Sequence, residues 1–188
     1  MLKLEYDNTV NQVVEVRYKS GSEASVILWC REGDKWSGKL ECDALVGVNG
    51  MGKTREGDGK TPVGDFGITT AFGIKPNPGT SLPYIEVTDD LWCCGDEVAY
   101  NRMISIKEHP HKCSGEHIIE YQPHYNYAFF LDYNKEGAPG LGSAIFFHCF
   151  GTKPYTGGCV AVSEDDMKKI LAALEPGARV VIEDNEGK

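Results

Sequence analysis

Ser143-Ala-Ile-Phe-Phe-His148-Cys149-Phe-Gly-Thr-Lys-Pro-Tyr-Thr156-Gly157-Gly158-Cys159-Val-Ala-Val-Ser163 is the stretch on which the reading of this chain turns. The apolar run over 142–150 predicts a buried strand that delivers His148 near its end. The Gly, Pro and Thr that follow predict a loop returning to Gly-Gly-Cys. Ser163 then opens the one convincing helix. It stands as N-cap with Asp166 at the capping-box position and Glu164 and Asp165 in the first turn. Met167, Ile170, Leu171 and Leu174 recur at helical spacing, Pro176 and Gly177 stop the helix, and 180–182 reads as a last strand.

Upstream, strands are expected over 12–18, with Val14, Val16 and Tyr18 on one face, and over 24–30. A turn at 32–35 leads to a hairpin partner over 36–41, and a short strand is expected at 45–48. Residues 50–67 carry six Gly and one Pro and read as loop with a strand at the end. Such long loops are functional or tied down by side chains. Strands are also expected over 84–88 and 127–133. The 22 Gly, nine Pro and nine Tyr suit a turn-rich, strand-rich chain, so residues 1–188 read as one mainly β domain with one main helix.

Nineteen Lys and Arg against 28 Asp and Glu give a net charge of −9, which repels phosphate backbones. Nucleic acid and anionic membrane surfaces are therefore poor partners. No apolar stretch approaches the roughly 20 residues of a spanning helix. No basic-then-apolar leader is visible at the N-terminus, which leaves a protein that stays inside or a secreted domain whose signal is already removed. Seven Cys, an odd count without any Cys-x-x-Cys pair, leave six for up to three disulfides if one is chemically employed. Buried thiols acting as small hydrophobes account for them equally well.

Two tempting motifs fail. Gly47-Val-Asn-Gly-Met-Gly52-Lys53-Thr54 fits a phosphate-loop pattern letter for letter. That loop works by running into a helix whose first amides hold the phosphates. Here Gly57, Gly59 and Pro62 follow too closely for a helix to form. His109, His111 and Cys113, with Cys93 and Cys94 upstream, offer soft metal ligands, but their spacing matches no common zinc pattern. The expectation is a surface loop holding one disulfide, with no metal and no cofactor.

Cys159 and His148 carry the chemistry that remains. A thiolate is the reactive form of cysteine, and a nearby imidazole can take its proton. Gly157 and Gly158 let a substrate approach the backbone, and their amides with that of Cys159 suit a developing oxyanion. A His at a strand end and a Cys in a loop are also ordinary packing, so local features alone leave both readings open.

The same stretch resembles the catalytic signature of the L,D-transpeptidases, the YkuD-like family: a His, a loop, then Ser or Thr, usually His, Gly and the nucleophilic Cys. Thr61-Pro62-Val-Gly64-Asp-Phe66 resembles the family's Thr-Pro-x-Gly-x-Phe segment, which accounts for the false phosphate loop beside it. Gly115-Glu116-His117 through Tyr127 to Asn134, and Gly158-Cys159-Val-Ala-Val-Ser163, resemble one branch of the family. The motifs fall in the family's order over 45–182. Gly157 stands where the commoner branch has a second His, and Ala161 where it has an Arg.

The resemblance implies an L,D-transpeptidase-like β-sandwich with a helix after the catalytic loop. It implies Cys159 as nucleophile, His148 as base, the Cys149 main-chain carbonyl orienting the imidazole, and the Gly158 amide facing an oxyanion. Thr156, Gly157, Glu116, His117 and Tyr127 are the substrate-binding candidates, with Tyr125 beside them. The implied reaction is acyl transfer on peptidoglycan stem peptides through a thioester on Cys159, making 3-3 crosslinks or exchanging the terminal amino acid, in a bacterial cell envelope or outside it. Water as acceptor makes the same residues an L,D-carboxypeptidase or endopeptidase. A wall-binding module that has lost turnover is the alternative of another class, and a redox protein ranks below it.

Overall fold

In the computed structural model residues 6–184, other than 8, are described. In chain order the strands are β1 (Gln12–Ser20), β2 (Glu23–Glu32), β3 (Lys35–Leu45), β4 (Gly64–Gly73), β5 (Tyr84–Glu86), β6 (Leu91–Cys94), β7 (Arg102–Ser105), β8 (Gly115–His117), β9 (Ala128–Leu131), β10 (Phe146–Cys149), β11 (Val160–Val162) and β12 (Arg179–Glu183). Among the described residues the single α-helix, α1 (Glu164–Ala173), follows β11, and two short 3-10 turns lie between β8 and β9.

Nine strands form one sheet in the order β12-β1-β2-β3-β11-β10-β9-β4-β5. β12 runs parallel to β1 and also pairs antiparallel with β4, so the sheet folds over and closes on itself with β5 outside the ring. Closure gives every ring strand two neighbours and leaves few open edges. Val14, Val16, Val26, Leu28, Phe129, Phe147, Val160, Val162, Val180 and Ile182 fill the enclosed core. α1 seats Met167, Ile170 and Leu171 against it, with all three buried. The Asp166 amide donates to Ser163 Oγ at 3.1 Å, so the helix starts where its cap residue dictates.

The mainly β reading holds, as do the face shared by Val14 and Val16 and the single helix after the Cys loop. Residues 45–48 are not a separate strand. β3 runs on to Leu45, and Gly47 makes only an isolated bridge to Thr156. β11 and a second sheet, ordered β7-β6-β8, were absent from the sequence expectation. Each of these strands is three or four residues long, too short to display an alternation. Of the three disulfides the cysteine count allowed, one forms, Cys94–Cys113. Cys30, Cys42, Cys93, Cys149 and Cys159 are free thiols.

Candidate active site

β10 and β11 lie parallel, with Phe147 opposite Val160 and His148 opposite Ala161. This register sets Cys159 beside Phe146, and the Phe146 amide meets Cys159 Sγ at 3.3 Å. Phe146 and His148 are two residues apart on one strand and share a face. His148 and Cys159 are thus diagonal neighbours across the parallel pair, and both line a cavity of about 710 Å³.

Two hydroxyls fix the loop that presents the thiol. Thr156 Oγ1 donates to the Cys159 carbonyl at 2.7 Å, and Thr61 Oγ1 donates to the same carbonyl at 3.1 Å. Thr61, fully buried, also accepts the Gly47 amide at 2.8 Å. The loop that imitates a phosphate site is therefore a brace for the cysteine loop, further tied by Val48 N to Thr156 O at 3.0 Å. We expect Thr61→Val to cost roughly 1–3 kcal/mol in denaturant unfolding, because it strands a buried amide, and Thr61→Ser to restore most of it. Equal stability of the Val variant and the parent would contradict this bracing role.

His148 is buried, and its Nδ1 lies 2.7 Å from the Cys149 carbonyl. A carbonyl can only accept, so Nδ1 carries the proton and Nε2 is left as the basic lone pair. Burial pushes the imidazole down to about 4; the Cys149 carbonyl opposes this and His124 adds to it. The His124 ring lies 5.7 Å from that of His148, a neighbour the sequence reading did not pick out.

Cys159 Sγ donates to the Ala144 carbonyl at 3.2 Å. Burial, with the Glu116 charge, pushes this thiol up to about 12 against the Phe146 amide and the Lys53 ammonium. The resting pair is thus neutral thiol and neutral imidazole. Ala144 holds a left-handed φ of +53°, with its amide bound to Asn101 Oδ1 at 2.9 Å. That conformation is costly for alanine, and here it aims a carbonyl at the thiol. Gly158 adopts φ +145°, and a Cβ there would sit 2.8 Å from the Lys60 carbonyl oxygen, so only glycine fits. Its amide donates to Thr156 Oγ1 at 3.1 Å and is already engaged, contrary to the expected oxyanion role.

Thr156, Gly157, Gly158, Glu116 and Tyr125 line the cavity with Cys159 and His148. His117 and Tyr127 do not. His117 follows Glu116 on β8 and so faces the other way, stacked on Trp92 at 4.5 Å with Nδ1 3.0 Å from Glu120 Oε1. Tyr127 is buried in the main core, and its carbonyl accepts from Cys149 Sγ at 3.4 Å. Glu116 accepts a short hydrogen bond from the Tyr125 hydroxyl. Burial pushes its carboxyl up to about 7, with the tyrosine acting the other way.

Glu116 is therefore neutral below about pH 7 and charged above it, and the charged form opposes the thiolate. We expect Glu116→Gln to alkylate with iodoacetamide at Cys159 faster than the parent above pH 7, and at the same rate below about pH 6. Identical profiles would contradict the coupling.

Lys53 went unread as a site residue because it sat inside the false motif. It lines the cavity, buried, with Nζ 2.9 Å from Asp58 Oδ1. Burial acts to raise the Asp58 carboxyl, but the amides of Thr54, Lys60 and Arg55 and the Lys53 ammonium together hold it well below the usual range. Lys53 and Lys153 are the lysines on the cavity wall, which Ala161 also lines.

Residues 22–182 match the family described as YkuD, the L,D-transpeptidase catalytic domain. The chain belongs to that family. Among solved structures, this L,D-transpeptidase-family chain is similar to a mutant of the helical cell shape determining protein Pgp2 from Campylobacter jejuni, at 20% identity and TM-score 0.55, over 95% of this chain and 49% of that one. Pgp2 without the mutation gives TM-score 0.55 at 18% identity, over 95% and 49%. Bd1075 from Bdellovibrio bacteriovorus gives 0.53 at 18%, over 96% and 50%. At these identities the likeness is one of fold, and the chain spans about half the length of these proteins. Among curated proteins none matches it. No helix among the described residues is long and apolar enough to cross a membrane.

Proposed function

We propose that this domain is a cysteine acyltransferase acting on peptidoglycan stem peptides in the bacterial cell envelope. The observation that carries the reading is the imidazole of His148, tautomerically fixed by the Cys149 carbonyl, on the same cavity face as Cys159. Cys159 Sγ attacks the carbonyl carbon between the stem's third residue and its terminal D-amino acid as its proton passes to His148 Nε2. The C–N bond breaks, the amine leaves with that proton, and a thioester remains on Cys159. The amides of Gly157 and Cys159 receive the oxyanion, since the Gly158 amide serves Thr156. An acceptor amine, or water, then takes the acyl group and frees the thiol.

Family membership supports this class of chemistry. The acceptor is a finer matter. An amine gives a crosslinked dimer, while water gives a tripeptide and makes the domain an L,D-carboxypeptidase. Incubation with a disaccharide tetrapeptide, followed by mass spectrometry, tests both. Dimer with loss of one D-amino acid, or tripeptide alone, supports acyl transfer and names the acceptor. Unchanged tetrapeptide overturns the enzymatic reading in favour of a wall-binding module.

A further inference from the structure

Outside the catalytic cavity, the end of β6 and the segment entering β8 gather four ligand-bearing side chains: Cys94, Asp96, His111 and Cys113. Their ligand atoms all lie within 4.8 Å of one another. Cys94 and Cys113 are joined as a disulfide, which by itself gives no reason for the other two to converge. His111 Nδ1 lies 2.8 Å from the His109 carbonyl, which places a proton there and turns Nε2 inward. Nε2 sits 3.5 Å from Cys94 Sγ and 3.4 Å from Asp96 Oδ2. Asp96 is pinned by the amides of Val98 and Ala99 on one oxygen and of Ser114 on the other. A hydrogen-bonded imidazole and a carboxylate anchored by amides are the outer supports that metal ligands receive.

The distances discriminate further. Tetrahedral zinc with Zn–S of about 2.3 Å and Zn–N or Zn–O of about 2.0–2.1 Å has ligand-to-ligand edges of roughly 3.6 Å for S to N and roughly 3.4 Å for N to O. Both edges from His111 Nε2 have these lengths. The sequence spacing hid the set because Asp96 is not part of any cysteine–histidine pattern.

We propose that Cys94, Asp96, His111 and Cys113 form a site for one zinc-class divalent cation when the cysteine pair is reduced, the disulfide being the oxidised alternative of the same site. A dithiol reductant gives two electrons and two protons to the Sγ–Sγ bond and is itself oxidised to a disulfide. The cation then displaces the two thiol protons and takes two thiolates, Nε2 and a carboxylate oxygen. Gly95, Ser114, Gly115 and Glu116 on the adjoining chain line the catalytic cavity, so either staple anchors the wall that carries Glu116.

The test is to reduce the intact protein, remove metal, titrate with Co(II) and then compete with Zn(II). One equivalent of Co(II) is expected to give the visible bands of a tetrahedral ion with sulfur-to-metal charge transfer, displaced by one equivalent of Zn(II). Cys113→Ser should lose most of the charge-transfer intensity. His111→Gln and Asp96→Asn, which keep the disulfide and so can be checked for folding in the oxidised state, should each weaken Zn(II) by at least about tenfold. Cys159→Ser should bind as the parent does, which separates this site from the catalytic cysteine. Absence of tetrahedral bands, bands unaffected by His111→Gln and Asp96→Asn, or bands lost in Cys159→Ser would overturn the proposal. The first two results would leave His111 as a neighbour of Asp96 beside a disulfide.

Discussion

Cys159→Ala is expected to lower turnover of a stem tetrapeptide by at least about ten-thousand-fold, because it removes the atom that becomes acylated. The loss should fall on the maximal rate while substrate still binds, since the cavity wall formed by Glu116, Tyr125, Thr156 and Lys53 is untouched. The Cys159 carbonyl, held by Thr61 and Thr156, is main chain and survives the change. The variant should therefore fold as the parent does, and steady-state kinetics with a binding titration check both halves. A variant that kept turnover within tenfold would place the chemistry elsewhere.

His148→Gln is expected to cost about a hundred- to ten-thousand-fold, the usual range for a lost general base. The pH dependence gives it a signature. With the imidazole down near 4 and the thiol up near 12, both partners are neutral at physiological pH. The parent draws the proton off during attack, so loss of the His148 base alone should not slow it until acid approaches pH 4. Without the base, only pre-formed thiolate can attack, and its fraction rises tenfold per pH unit up to the thiol's own value near 12. The His148→Gln rate should therefore climb steeply from pH 7 to 10. A flat profile, or an unaltered rate, would contradict the assignment. The same shifts mean that the resting thiol is not a reactive thiolate.

Acid should also weaken the fold through this residue. An imidazole near 4 in the folded state and near 6.5 when unfolded favours unfolding as pH falls through that interval, because the unfolded chain binds the proton first. Stability carried by neutral His148 is thus complete above about 6.5 and lost toward 4.

The strand and the helix on either side of the Cys159 loop were legible because their signals are local. Ser163 and its acidic first turn mark the helix start to the residue, and the apolar run over 142–150 marks a buried strand, which forms only over Phe146–Cys149. The phosphate-loop match was rejected on glycine and proline alone, but its true role was not readable. Thr61 braces the Cys159 loop from 98 positions away, and no periodicity encodes such a contact. Glu116 and His117 show the limit most plainly. Adjacent in sequence and equal as candidates, they point to opposite faces of β8, and only the pairing of Trp92 with His117 and of Cys93 with Glu116 decides which one reaches the cavity. The three- and four-residue strands β6, β7, β8 and β11 are specified by tertiary pairing, since each is shorter than one full alternation can reveal.

Intact-mass spectrometry of the protein quenched in acid during turnover of a disaccharide tetrapeptide tests the central claim most directly. The expected adduct equals the substrate less its terminal D-amino acid, maps to the peptide carrying Cys159 and is labile to hydroxylamine. An adduct on any other residue, or product formed with no acyl-enzyme under single-turnover conditions, would contradict it.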